Sequence, residues 1–128
     1  MDVPPDILLR DRYRIERMLG QGGMGAVFLA LDTALDTQVA VKLNRSPLPK
    51  GSALFLREAR LLAALRHTHL PRVIDYFVDG DAQYLVMDYV PGQDLDSLLK
   101  AQGAQPLERV LDWARQLGSA LVYLHQQE

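Results

Sequence analysis

The sequence predicts an α+β fold, an antiparallel sheet with its helices set apart from the strands rather than alternating with them. Two observations predict it. Three strand-like stretches follow one another before residue 45 with only short connections, and a helical segment, two more strand-like stretches and two helical segments come after them. Strands joined by short connections pair antiparallel, because a parallel neighbour needs a crossover of a dozen or more residues.

The elements follow in order. Residues 1–10, with Pro4 and Pro5, read as a leader lying over the surface. YRIERML at 13–19 alternates as a strand, AVFLALD at 26–32 is rich in strand formers, and QVAVKL at 38–43 makes a third strand after the turn residues TALDT. NRSPLPKG then breaks the pattern with two prolines and a glycine. Ser52 is the expected N-cap of a helix running to about Leu65, with Leu54, Phe55, Leu61, Leu62 and Leu65 as its apolar face. Residues 70–90 read as two strands around a turn at Asp79-Gly80-Asp81, and Pro91-Gly92 ends the sheet. A short helix is expected near Leu95–Ala101 and a long one from about Pro106 to Gln126, with proline at a first turn where its missing N–H has no partner to lose. The sum is a five-stranded sheet and three helices.

Composition narrows the function classes. The chain has 128 residues, enough for one domain with a core, and its 48% apolar and 23% charged content excludes a disordered chain. A formal charge of −2 gives no electrostatic reason to expect nucleic acid or an anionic membrane as partner. With no cysteine there is neither disulfide nor thiolate metal site, which suits a reducing cytoplasm. The first residues lack the basic start and apolar run of a signal peptide, and no apolar stretch nears the roughly 20 residues of a membrane span. A soluble, cytoplasmic protein is therefore expected.

The chemistry begins at GQGGMGAV, residues 20–27, with four glycines in six positions. Each glycine lowers stability through lost conformational freedom, so the backbone either turns sharply here or something approaches closer than a Cβ would permit. A dinucleotide-binding loop would open a helix, but Ala26, Val27, Phe28 and Leu29 continue as strand, and no Gly-Lys-Ser/Thr of a Walker loop follows. A hairpin remains, read either as a plain flexible turn or as a flap whose bare amides lie over a triphosphate. Lys42 stands between apolar Val41 and Leu43, and Glu58 falls within the apolar stripe of the first helix. Each alone reads as a charge at the margin of the core. Together they suggest a buried pair, since a buried ammonium and carboxylate are tolerable when matched.

These stretches, with YLVMDYVPGQDL at 84–95, occur in the order and spacing of the protein-kinase N-terminal lobe. The chain resembles the bacterial serine/threonine protein kinases of eukaryotic type from about residue 11 to its last residue. The resemblance implies a leader at 1–10, an N-lobe and hinge at 11–90, and the start of a C-lobe at 91–128. It implies that Gly20, Gly22 and Gly25 cover the phosphates of ATP, where a missing side chain lets amides approach. By the same resemblance Val27 and Ala40 pack on adenine, Lys42 holds the α- and β-phosphates, and Glu58 positions that lysine. Met87 becomes the residue at the back of the pocket, while Asp88 and Val90 offer backbone groups to the adenine edge, the side chain at 88 mattering less. Asp94 lies where an acid often meets the ribose, and Leu62 and Val73 match two positions of the packed column that ties the helix to the active state. His67 and His69 are expected as structural turn residues.

No residue matches the family's catalytic base or its magnesium ligands. ATP with magnesium is the implied cofactor, yet no metal ligand is assigned in this chain, and the 128 residues alone are expected to be inactive. The parent would then be an ATP-dependent kinase acting on protein substrates. The alternative is a short kinase-like module working by interaction. Leu107, Val110, Leu111, Ala114, Leu117, Leu121 and Leu124 form an apolar stripe on the last helix, so self-association through residues 106–126 is expected.

Overall fold

The computed structural model describes residues 4–22, 25–45, 49–80 and 82–127, with the backbone alone for 49–52. Its strands are β1 (Leu8–Leu9), β2 (Tyr13–Gln21), β3 (Gly25–Asp32), β4 (Thr37–Arg45), β5 (Val73–Asp79) and β6 (Ala82–Asp88). Its helices are α1 (Pro49–Ala63), α2 (Leu95–Gln102) and α3 (Leu107–Gln126). All the pairings are antiparallel, in the order β1-β2-β3-β4-β6-β5.

The α+β class stands, but the sheet has six strands rather than five. The extra strand comes from the segment expected to lie loosely over the surface. Leu8 and Leu9 pair with Arg14 and Tyr13, and the chain reverses through Arg10 and Asp11, both at positive φ near 50°. The driving force is local: Leu9 buries its side chain in the main core, a gain that two prolines nearby do not prevent.

Alternation splits the sheet into two working faces. One turns Tyr13, Ile15, Phe28, Val41, Leu43, Phe77 and Val86 into a single apolar core. On the other, α1 lays Phe55 and Ala59 against Leu85, with Leu62, Val73, Tyr76 and Met87 packed around them. The expected apolar face of the helix is corrected here: Leu54 and Leu61 are exposed, and the buried line is Phe55–Ala59–Leu62. Residues four and three apart stack on one side of a helix, whereas Leu54 and Leu61 lie about a third of a turn round from it. The start is also corrected. The helix begins at Pro49, so Ser52 lies inside it and is not its N-cap. Proline suits that first position. At the β5–β6 hairpin Asp79 pairs with Ala82 across Gly80, whose φ of +65° favours glycine; the expected turn residue Asp81 lies outside the described residues.

The chain divides into two compact units, residues 1–65 with 72–89, and residues 66–71 with 90–128. Within the second, Asp94 caps α2 by accepting from Ser97 N at 2.7 Å, and Gly103 closes its end by donating to Leu99 O at 2.7 Å. The 66–71 segment rests on α3. Arg66 N donates to the Tyr123 hydroxyl at 2.7 Å, and the His67 ring packs tilted against the Tyr123 ring while its Nε2 meets Ser119 Oγ at 3.1 Å. His67 Nδ1 accepts from His69 N, a turn-closing bond. Among the described residues no helix is long and apolar enough to cross a membrane.

Candidate functional site

The glycine-rich segment is the tip of the β2–β3 hairpin. Gly20 pairs with Val27, Gln21 with Ala26, and Gly22 N donates to Gly25 O at 2.8 Å. The glycines differ in why they are needed. A Cβ on Gly25 would run into the Leu43 carbonyl oxygen of the neighbouring strand, so packing alone demands glycine there. Around Gly20 and Gly22, their own chain neighbours aside, no atom of the described residues lies within 4 Å of where a Cβ would stand, so no described neighbour demands glycine there.

Beneath this hairpin is a hollow of about 560 Å³ lined by Gly20, Gly22, Gly25, Val27, Lys42 and Glu58, with Gln21, Ala26, Asn44 and Phe55 completing the wall. The strand register explains how the lysine arrives. Val41 and Leu43 point into the main core, so Lys42 between them faces the opposite side, opposite Val27 on one neighbouring strand and Leu85 on the other. Two residues back along β4, Ala40 occupies the same face in register with Met87. An apolar platform therefore runs directly into a cation.

Lys42 and Glu58 line the same hollow, but the expected buried pair is corrected. Both side chains are exposed, and neither belongs to any ion pair found among the described residues. The cause is geometric. Phe55, Ala59 and Leu62 hold α1 to the sheet, and Glu58 sits at the edge of that line, where water reaches it.

The other expected residues are distributed as follows. Leu62 and Val73 both pack against the Phe55–Leu85 cluster. Asp88 closes β6 and is clasped by Arg72: Asp88 N donates to Arg72 O at 2.9 Å, and Arg72 N donates to Asp88 Oδ2 at 2.9 Å. That backbone N–H, together with the guanidinium, holds the Asp88 carboxyl below its usual range. Val90 and Asp94 belong to the second unit. There the Asp94 carboxylate serves as the α2 cap, and the Ser97 N–H keeps its pKa low.

Sequence reasoning missed three polar anchors. Arg12 grips Asp32 with two bonds of 2.9 and 2.8 Å, and Asp32, almost fully buried, also accepts from Ala34 and Leu35 N. Arg12 is the main cause of its lowered pKa. Tyr13, buried at 0% exposure, donates to Asp75 at 2.8 Å, and burial first, then that bond, pushes its pKa up. The third is the Arg72 clasp. Only Asp32 carried a local signal, since aspartate ahead of Thr-Ala-Leu is a turn-capping pattern.

Residues 13–128 match the protein kinase domain family. The chain belongs to the protein kinase family. Its sequence is similar to the serine/threonine-protein kinase PknA of Mycobacterium tuberculosis, 39% identical over 93% of this chain and 30% of PknA. Its fold is similar to the kinase domain of PknI from the same organism, with a TM-score of 0.83 and 28% identity over 98% of this chain and 51% of that one. Rad53 residues 1–466 in complex with AMP-PNP match at a TM-score of 0.80 and 28% identity, over 89% of this chain and 30% of that one. The chain spans 15–30% of the length of the curated relatives it matches.

Proposed function

We propose that the hollow under the β2–β3 hairpin is an ATP site, and that this chain is the nucleotide-binding part of a serine/threonine protein kinase. The whole protein would move the γ-phosphate of ATP to a serine or threonine hydroxyl of a protein substrate. The observation that carries the reading is the joint placement of Lys42 and two glycines that no described neighbour requires, around one open hollow. The residues suit the nucleotide. Bare main chain at Gly20 and Gly22 admits phosphate oxygens close to amide donors, Lys42 supplies positive charge, and Glu58 orients that ammonium once the two close to ion-pair distance. Val27, Ala40 and Met87 offer the flat, apolar contact that an adenine ring needs, with the Asp88 backbone at its edge. The likeness to Rad53 solved with AMP-PNP adds support from the ligand side.

ATP, taken with magnesium, brings the transferable phosphoryl group; this chain's own part is to hold the triphosphate in line and neutralise its charge. No residue here is assigned to the metal or to the base, so the 128 residues alone are expected to transfer no phosphate. The test is a calorimetric titration with ATP and magnesium. Saturable binding is expected, weakened about tenfold or more by Lys42→Met, because a charge-assisted phosphate contact is lost. Binding that survives Lys42→Met unchanged would place the nucleotide elsewhere.

A second property of this reading is self-association. Leu107, Leu117 and Leu121 of the α3 stripe are all more than half exposed, and exposed apolar patches of this kind mark association sites.

A further inference from the structure

Two polar side chains are buried among the described residues, and they differ in how they are satisfied. Asp32 accepts four hydrogen bonds. Gln83 on β6, 2% exposed, has no partner for its Oε1 among the described residues. A buried amide oxygen without a donor is costly and rare in a folded protein, so this one calls for a cause. Leu43 and Tyr84, in register across β4 and β6, point into the main core. Their neighbours Asn44 and Gln83, also in register, therefore face the other way, onto the side of the sheet that carries Lys42. Side chains directly opposite on antiparallel strands stand about 5 Å apart at Cβ, within reach of an amide–amide bond. Asn44 lines the hollow, Gln83 stands beside it on the next strand, and the Asn44 amide group makes no hydrogen bond among the described residues. Ala40, Lys42 and Asn44 form one row along β4, each about 7 Å from the next, and the row ends opposite Gly25 at the hairpin tip.

We infer that Asn44 contacts the terminal phosphate of ATP and that Gln83 is the residue that positions it. One Asn44 side-chain N–H is given to Gln83 Oε1, which fills the orphaned acceptor. The other N–H, held at a fixed angle to the first by the planar amide, is aimed at a phosphate oxygen. The row supplies the place: with the base on Ala40 and the first two phosphates at Lys42, the third comes to Asn44. The inference rests on the ATP-site reading and deepens it, because it gives the hollow a group that senses whether the γ-phosphate is present.

Titrations of the chain and two variants with ATP and with ADP, each with magnesium, test it. Asn44→Ala should weaken ATP binding about tenfold, the worth of one hydrogen bond to a charged group, and change ADP binding by less than about twofold. Gln83→Met removes the acceptor at similar volume. It should weaken ATP about threefold and again spare ADP, whereas a purely structural glutamine would leave both nucleotides unchanged or shift them together. Equal losses of ATP and ADP in either variant, or ATP binding unchanged in either, would overturn the proposal. In the parent chain, the Asn44 side-chain N–H signals in an NMR spectrum should move on adding ATP and much less on adding ADP. Signals that respond alike to both nucleotides would overturn the proposal even where a variant fails to fold. A parent chain that binds neither nucleotide would instead overturn the site reading on which it rests.

Discussion

At the scale of single residues, two glycines in one loop have different jobs. Gly25 is required by the sheet, since any Cβ there meets the carbonyl of Leu43, whereas Gly20 stands in open space. Gly25→Ala should therefore lower unfolding stability by about 1–3 kcal/mol, as overpacking does. Gly20→Ala should leave it within about 0.5 kcal/mol of the parent. Urea denaturation of both variants reads the difference, and equal losses would show that the hairpin tip responds as a unit. The glycine pattern was legible in the sequence, but not this division, because it depends on which strand lies beside residue 25. The same holds for Lys42. Its neighbours Val41 and Leu43 suggested burial, yet strand alternation sends it to the opposite face, into a hollow open to water.

At the scale of elements, α1 decides how the site is walled. Its grip on the sheet is the line Phe55–Ala59–Leu62, which leaves Glu58 beside the hollow and Leu54 in solvent. Truncating Phe55 to alanine should lower stability by about 3 kcal/mol through the cavity it leaves. Leu54→Ala, which removes an exposed side chain, should change it by less than about 0.5 kcal/mol. Thermal unfolding of the pair distinguishes this packing from the broader apolar face read in the sequence, on which both positions would matter alike. The helix itself was legible, as were most strands, because periodicity is a property of the chain. Its N-terminus was not. Serine is a strong capping signal, and here proline at the first helical position prevails three residues earlier.

At the scale of the whole molecule, the proposed self-association rests on the exposed apolar residues of α3. Light scattering on the chain should show mass rising with concentration, and Leu117→Glu with Leu121→Glu should return it to a monomer, since two charges on the stripe oppose apolar contact. A monomer at every concentration would remove the association reading without touching the nucleotide site.

What the sequence determined by itself was the order of elements, the family, and the candidates Gly20, Gly22, Lys42 and Glu58, because motif spacing and hydrophobic period are written along one dimension. What tertiary structure alone decided was partnership. It drew Leu8–Leu9 into the sheet as a sixth strand, buried Asp32 under Arg12, hung Tyr13 on Asp75 62 residues away, and gave the Asp88 carboxylate to Arg72 N. Each of these joins groups far apart in the chain, and whether a polar group is paired or exposed depends on what the fold brings beside it, which no local pattern encodes.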